Sequence, residues 1–575
     1  MNRPTPAIVA QSAVRRLPRW ALVLFCTAYV LAGFVGRGPW KNADISAFGY
    51  MLELAQGRTD WLQPVLGGLP PETEGLLAYW LGAWALRIAP SWVSSDLAAR
   101  VPFGLLLVLT LAATWYAVYS LARSPRAQPV AFAFGGEAQP RDYARAIADG
   151  GLLALIACLG LAQLSHEGTA YLTQLAFTTL AFFALAVAPY RMRLATASLV
   201  TGLAGLSLSG APTLALLFGT GGALLAAAES RQDLESAPIL RRWAMLAAAV
   251  TLAVAALAAG LHLWHWRIDP PTGGEWRSVG RLLLWFTWPA WPLVLWTLWR
   301  WRRQLASREL HRHLLLPAGF AAVAVLATLT TTPADRALLL ALPALATLAA
   351  FALPTLGRSV AALVDWFTLL FFTGAAVIVW IIYIAMHTGW PRQPAANVAK
   401  LAPGFVAEFS PWLLAIALAA TLAWGLLVRW RVGRQQHALW KSVVLPAGGA
   451  GLAWLLLMTL WLPLLDYARS YAPQVQRVVA AMDGPTPSCV EFTGFSRAQV
   501  AAFQYHGGLR LQPARREPAC SWLLVDVGAP GPALEAQADP AAWTLVATVA
   551  RPADRKDTVQ LYRARPAASA RPAGR

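Results

Sequence analysis

The chain of 575 residues is 57% hydrophobic and only 13% charged, about half the roughly 25% charged fraction of an ordinary soluble domain. Its mean hydropathy of +0.50, and many apolar runs longer than the roughly 18 residues that mark a bilayer-crossing helix, exclude a string of soluble domains. The net charge of +19 lies in short clusters between those runs rather than on one face. That excludes a nucleic-acid-binding surface and fits charges that set membrane topology.

Residues 1–18 are expected to form a cytoplasmic segment. MNRPTPAIVAQSAVRRLPR is too polar for a cleavable signal peptide, and the apolar run after it outlasts an h-region. The apolar runs then predict thirteen spans, at about 19–36, 100–122, 149–165, 169–190, 194–209, 211–228, 243–264, 281–299, 314–332, 336–354, 366–387, 411–429 and 442–464. An odd count puts the termini on opposite sides. The short loops RMR, RRW, RWRRQLASRELHRH, GRS and RWRVGRQQ all fall on one face, so the positive-inside rule makes the N-terminus cytoplasmic. Residues 19–464 thus read as one transmembrane module. Its outer loop, 37–95, carries two amphipathic stretches, DISAFGYMLELAQ and EGLLAYWLGAWALRI, which read as interfacial helices.

The tail, 465–566, reads as a periplasmic α/β domain. QVQRVVAAM and AQVAAFQY have helical spacing, while CVEFTGF, SWLLVDVG, WTLVATVA and VQLYRAR read as strands. Residues 567–575 read as a disordered end. Cys26 and Cys158 lie in apolar runs and read as inert. Cys489 and Cys520 lie in the tail. Outside the cytoplasm they can form a disulfide; in a cytoplasmic tail they would be two unpaired thiols.

Charge beside hydrocarbon is costly, about 2.5–3.5 kcal/mol for a centred residue on insertion scales, so outer-face polar residues are the candidates for chemistry. They are Asp44, Glu72, Glu74, His166, Glu167, Arg267, Asp269, Glu275, Arg277, Arg281, Asp335 and Arg336. Acids and histidine can handle protons, and arginines can hold an anion. Each also has a plainer reading. Asp44 can be a helix N-cap, Glu72 and Glu74 solvated, His166 a loop histidine, and Arg281 a snorkelling arginine. Most of the 28 tryptophans read as an interfacial belt. No set of residues has convincing metal-ligand spacing, and His311 and His313 read as cytoplasmic surface.

The order of these pieces resembles the GT-C superfamily of membrane glycosyltransferases, in the branch of the lipid A aminoarabinose transferases and protein O-mannosyltransferases. NADISAFGYMLELAQGRTDW places Asp44 at the family's Asp-Glu pair and Asp60-Trp61 at its Gly-Asp-Trp-like turn. LPPETEGLLAYWL ends in Tyr79-Trp80-Leu81, GLAGLSLSGAP is similar to the Gly-Leu-Ala…Lys-Gly-Pro segment, and RALLLALPALATLAA to the Arg-Tyr-Leu-Leu-Pro span. LLDYARSY also looks like bacterial members. Ile45 replaces the second acid of the pair, Glu74 stands where Lys is expected, and Ser209 stands where Lys precedes Gly-Pro.

The resemblance implies an all-α polytopic enzyme of the bacterial inner membrane with a small α/β periplasmic domain. It would move a sugar from a polyprenyl-phosphate carrier to lipid A, an envelope glycan or a protein, among membrane lipids and without nucleic acid. Asp44 would be the general base. Arg336, Arg277, Arg281 and Arg267 would hold phosphate, with His166, Glu167, Glu74 and Tyr79 also at the substrate. No cofactor is implied with certainty; either fixed cations or a divalent metal would answer the leaving group's charge. A lipid-linked precursor transporter and an inactive envelope-assembly member are the rival readings.

Overall fold

The computed structural model describes residues 5–73, 75–232, 235–264, 268, 270–331, 334–433, 438–485, 487–528, 539 and 542–565, excepting the side chains of 358 and 432. Glu74, Arg267, Asp269 and the end from 566 lie outside the described residues. The helices are α1 (Arg19–Phe34), α2 (Ala43–Ala55), α3 (Leu77–Ile88), α4 (Ser95–Ala122), α5 (Pro140–Ala157), α6 (Leu161–Leu164), α7 (Ala170–Val187), α8 (Met192–Leu208), α9 (Pro212–Glu229) and α10 (Ala237–Gly260). There follow α11 (Trp276–Phe286), α12 (Ala290–Arg300), α13 (Arg302–Leu305), α14 (Arg312–Thr328), α15 (Ala334–Leu339), α16 (Leu342–Ala350) and α17 (Arg358–Thr388). The last are α18 (Arg392–Leu401), α19 (Pro411–Val432), α20 (Lys441–Leu460), α21 (Leu462–Arg469), α22 (Ala472–Ala480) and α23 (Arg497–Gly507).

Seven of these, α4, α7, α9, α10, α17, α19 and α20, are long and apolar enough to cross a bilayer. The run expected as one span at 281–299 is instead two helices, α11 and α12, bent by 83°. The cause is the Trp288-Pro289 step in WPAWP, because proline lacks an N–H and collides with the preceding turn. The run expected at 336–354 likewise divides into α15 and α16, with Pro343 in the first turn of the second helix. That expected at 149–165 starts earlier, at Pro140 in the first turn of α5, and stops at the Cys158–Gly160 turn. By contrast α17 has no internal proline and runs 31 residues, ending at Gly389, whose φ of 74° suits the left-handed cap.

His311 and His313 are buried rather than on the surface. The His313 ring sits between Trp301 and Phe351, 5.1 Å from each. Arginine side chains around the turn take the water-facing positions, and the flat imidazoles pack inward. Residues 7–14 are not a free polar segment either. Ala7, Val9 and Val14 are buried, and the backbone pairs with Val130 and Ala138.

The tail folds as a five-stranded mixed sheet in the order β2-β1-β3-β5-β4. The strands are β1 (Val490–Thr493), β2 (Leu511–Pro513), β3 (Trp522–Asp526), β4 (Trp543–Arg551) and β5 (Asp554–Ala564). β1 runs parallel to both β2 and β3, while β5 is antiparallel to β3 and β4. Helix α23 begins in a Ser496/Gln499 capping box and packs on α2. There the Phe48 and Tyr505 rings meet at 4.8 Å, and Gly49 leaves no Cβ where Ala501 approaches. Arg551, almost fully buried, bonds Asp554 and Asp557 at 3.0 Å and the Ala468 carbonyl of α21 at 2.8 Å. The sheet is thereby tied to both the outer loop and the end of the bundle.

Cys489 and Cys520 are joined in a disulfide that closes 31 residues of sequence separation. Replacing both by serine is expected to cost about 3–4 kcal/mol in the chain-entropy picture. Limited proteolysis of the purified protein should then cut between positions 489 and 520 faster than in the parent.

Candidate functional site

The site is built where α1 ends. Arg37 follows the last turn of α1 and points back into the protein, donating to the Gly33 carbonyl at 2.9 Å and the His166 carbonyl at 2.6 Å. Its other amino group reaches Asp44 Oδ2 at 2.6 Å. Asp44 sits in the first turn of α2, where helix dipole and backbone N–H groups favour a negative charge. The Trp40 N–H donates to Oδ2 at 3.1 Å, and the Gly168 N–H to Oδ1 at 2.9 Å. The N-cap position itself is Asn42, without a side-chain cap bond.

Asp44 therefore does not face outer water: it is 3% exposed. The void beside it is only about 10 Å³, close to the smallest space that holds one water. Burial pushes its carboxyl up, but the charges of Arg37 and Arg100 and the Trp40 and Arg37 hydrogen bonds outweigh this and hold it below the usual range. Arg100, on α4, is bonded to Asp96 and to the Phe34 and Arg37 carbonyls, so it closes the same knot.

His166 is buried and packed among aromatic rings. Its ring lies 4.7 Å from that of Trp454 and 5.1 Å from Phe34, with Nε2 at 3.0 Å from the Tyr29 carbonyl. Burial pushes its pKa down to about 4, which favours the neutral ring. A Cβ on Gly33 would stand 2.2 Å from this ring, which is why α1 carries glycine there.

Glu167 is different. It is 8% exposed and takes one side-chain hydrogen bond, from Gln163 at 3.1 Å. Burial first, and then the charge of Asp44, raise its carboxyl, partly opposed by Arg336 and Arg37. Arg336 stacks on the Tyr171 ring at 4.6 Å. Arg469, the last residue of α21, stacks on Trp40 at 5.0 Å and feels the charge of Glu167. Asp466, one turn earlier, accepts from the Gly38 N–H at 3.0 Å and Trp40 Nε1 at 2.9 Å. Four arginines (37, 100, 336, 469) thus stand among five carboxylates (44, 96, 167, 335, 466).

Beside Arg336 opens a groove of about 500 Å³, within the usual range of ligand sites. Leu214, Leu217, Val323 and Leu326 give it an apolar wall; Thr73, Tyr171, Gln174 and Thr331 give it a polar rim. Gln174 donates to the Ser209 carbonyl at 2.8 Å, fixing the α8–α9 turn at this rim. Tyr79 is buried, its hydroxyl 3.4 Å from that of Thr73, and burial pushes it up to about 12. Arg277 and Arg281 are exposed on α11, and among the described residues neither joins an ion pair.

The sequence reading missed Arg37, Arg469 and Asp466. The signal available was LLDYARSY, whose acid and base lie three apart on one helix face. Among the described residues no three His, Cys, Asp or Glu side chains gather as a metal cradle. Within the cluster Asp44 and Asp96 are paired with Arg37 and Arg100, whereas Glu167 and Asp466 accept from Gln163, Gly38 and Trp40.

A bundle of apolar helices, a loop carrying α2 and α3, and a small sheet resting on both define an architecture that solved structures share. The chain has the fold of the glycosyltransferase ArnT from Cupriavidus metallidurans. Against its apo crystal structure the TM-score is 0.59 at 14% identity, covering 94% of this chain and 98% of that one. Against the structure bound to undecaprenyl phosphate it is 0.60 at 15% identity, covering 95% and 98%. An oligosaccharyltransferase from Archaeoglobus fulgidus reaches 0.41 at 12% identity, over 88% of this chain and 69% of its own, too distant to argue from. No family model and no curated protein sequence matches the chain.

Two outcomes follow for the cluster. Asp44→Asn removes one partner of a buried ion pair and should cost about 3–5 kcal/mol of stability. The sign with pH is fixed by the lowered carboxyl. The Asp44 contribution is complete above the ordinary value of about 3.9 and is lost as pH falls through its own lower value. Thermal unfolding in detergent across acid pH should show that loss in the parent and not in the Asn variant. Gly33→Ala, which crowds His166, should lower the unfolding midpoint by an overpacking cost of about 1–3 kcal/mol.

Proposed function

We propose that the chain is a membrane glycosyltransferase that takes a sugar from a polyprenyl-phosphate carrier at the outer face of the bacterial inner membrane. The observation that carries this reading is the near full-length likeness to ArnT, one of whose structures is bound to undecaprenyl phosphate, together with a groove lined by Tyr171, the ring that Arg336 covers. In this reading α1, α5, α8, α14 and α16 are taken as crossings beside the seven long helices and the bent pair, which gives thirteen. The N-terminus is then cytoplasmic, and the module 19–464 is followed by a periplasmic unit at 465–566.

In this reading the carrier's chain lies in the 500 Å³ groove and its phosphate at Arg336, with Arg469 behind it. The acceptor hydroxyl attacks the anomeric carbon, the bond from that carbon to the phosphate oxygen breaks, and the electron pair leaves with the phosphate. The proton of the hydroxyl needs a base. Asp44 already accepts three hydrogen bonds and has a lowered pKa, so we assign it to positioning Arg37 and the loop. Glu167, with its raised pKa and single side-chain partner, is closer to the value that suits a base near neutral pH. When Glu167 gains the proton, the cluster becomes more positive by one charge as the carrier phosphate gains one negative.

The test is sugar transfer in membranes or nanodiscs from a polyprenyl-phosphate sugar, with mass analysis of envelope glycans to identify the acceptor. Glu167→Gln should lower kcat about 10²–10⁴-fold with donor KM retained. Arg336→Gln should raise donor KM roughly tenfold or more, the value of a hydrogen bond to a charged group. Full turnover in Glu167→Gln, with loss in a stably folded Asp44→Asn, would return the base to Asp44. No transfer by the parent protein from any such donor would leave an assembly role instead.

A further inference from the structure

A second cavity lies away from this site. It holds about 550 Å³ and is walled by α1, α4 and α5. On α1 it extends from Arg19 to Val30, about 16 Å of helix at 1.5 Å per residue, which is one leaflet of a roughly 30 Å hydrocarbon core. On α4 it is lined by Val108 to Tyr116, well past Arg100, where the outer cluster sits. The cavity therefore belongs to the opposite leaflet, on the side of the arginine-rich turns.

Its two ends differ in chemistry. The deep wall is apolar, with Val23, Leu111 and Ala112. The mouth carries Arg16, Arg19 and Arg145, with Trp115 at the boundary. One carboxylate, Asp149, also lines it and is occupied by Trp115 Nε1 at 2.9 Å. Asp142, just outside, is shared by Arg16 at 3.2 Å and Arg145 at 3.9 Å. Arg19 is exposed, and among the described residues it has no ion-pair partner. Three cations against these two acids leave a net positive mouth above a slot one leaflet deep.

We propose that this slot is a binding site for an anionic diacyl phospholipid of the leaflet on the arginine-rich side. The headgroup phosphate would pair with Arg19 and Arg145 at the headgroup level, and one acyl chain would lie between α1 and α4. Charge at the mouth, one-leaflet depth and an indole at the boundary together select a phospholipid over a detergent-like or neutral occupant. This site is separate from the proposed transfer chemistry and does not depend on it.

The full-length protein in detergent can be titrated with dioleoyl phosphatidylglycerol, dioleoyl phosphatidylcholine and undecaprenyl phosphate and read by native mass spectrometry. The first phosphatidylglycerol should bind about tenfold more tightly than phosphatidylcholine, as expected for arginines at a headgroup. Arg19→Gln with Arg145→Gln should abolish that preference. Ala112→Trp, which fills the slot from an exposed position, should remove the tight site. Leu224→Trp, on an exposed face of α9, should change nothing. Equal binding of the two phospholipids overturns the proposal, as does an unchanged preference in both slot variants. Tighter binding of undecaprenyl phosphate that Ala112→Trp blocks would make the occupant the carrier and overturns it too.

Discussion

The outer end of this protein is organised around a buried charge that cannot be left alone. Arg37 is enclosed by α1, α2 and the α6–α7 turn, and Asp44 is the carboxylate that neutralises it. An unpaired charge in such a place costs several kcal/mol, so the loop after α1 must fold back to bring Asp44 within reach. That one constraint sets the start of α2, brings Gly168 against Oδ1, and stations Trp40 where Asp466 and Arg469 can meet it. The remaining ionisable groups inherit their positions from the pair.

The same geometry separates two carboxylates that look alike in the sequence. Asp44 is surrounded by donors and stays ionised; Glu167 has one side-chain donor and more burial than compensation. Neighbouring acids driven apart in proton affinity can carry different duties, one holding structure and the other exchanging protons. The arginines are divided likewise. Arg37 and Arg100 are spent on carbonyls and carboxylates, whereas Arg336 and Arg469 sit over aromatic rings.

Much of the scaffold was legible because the apolar runs are long and the polar punctuation between them short. α2, α3, α22, α23 and four of the five strands fall where periodicity put them. The failures have local causes. Proline at 289 and 343 broke two runs that hydropathy joined, and β2 is three residues ending in proline, too short to leave an alternating pattern. The site was legible as residue types on one face, not as contacts. Arg37 and Asp44 are seven residues apart, but Gly168 comes from 124 residues beyond Asp44 and Asp466 from 428 beyond Gly38. A linear reading carries no information about such meetings, so Asp44 looked exposed and His166 looked available.

The hold of Arg551 on the Ala468 carbonyl gives the outer sheet a mechanical standing that its small size disguises. Arg469 is the next residue along, and its own carbonyl receives the Lys41 N–H, so sheet, short helix and loop form a single lever with the guanidinium at its tip. The position of Arg469 is therefore fixed from two sides, by the sheet through the Ala468 carbonyl and by the loop through Lys41.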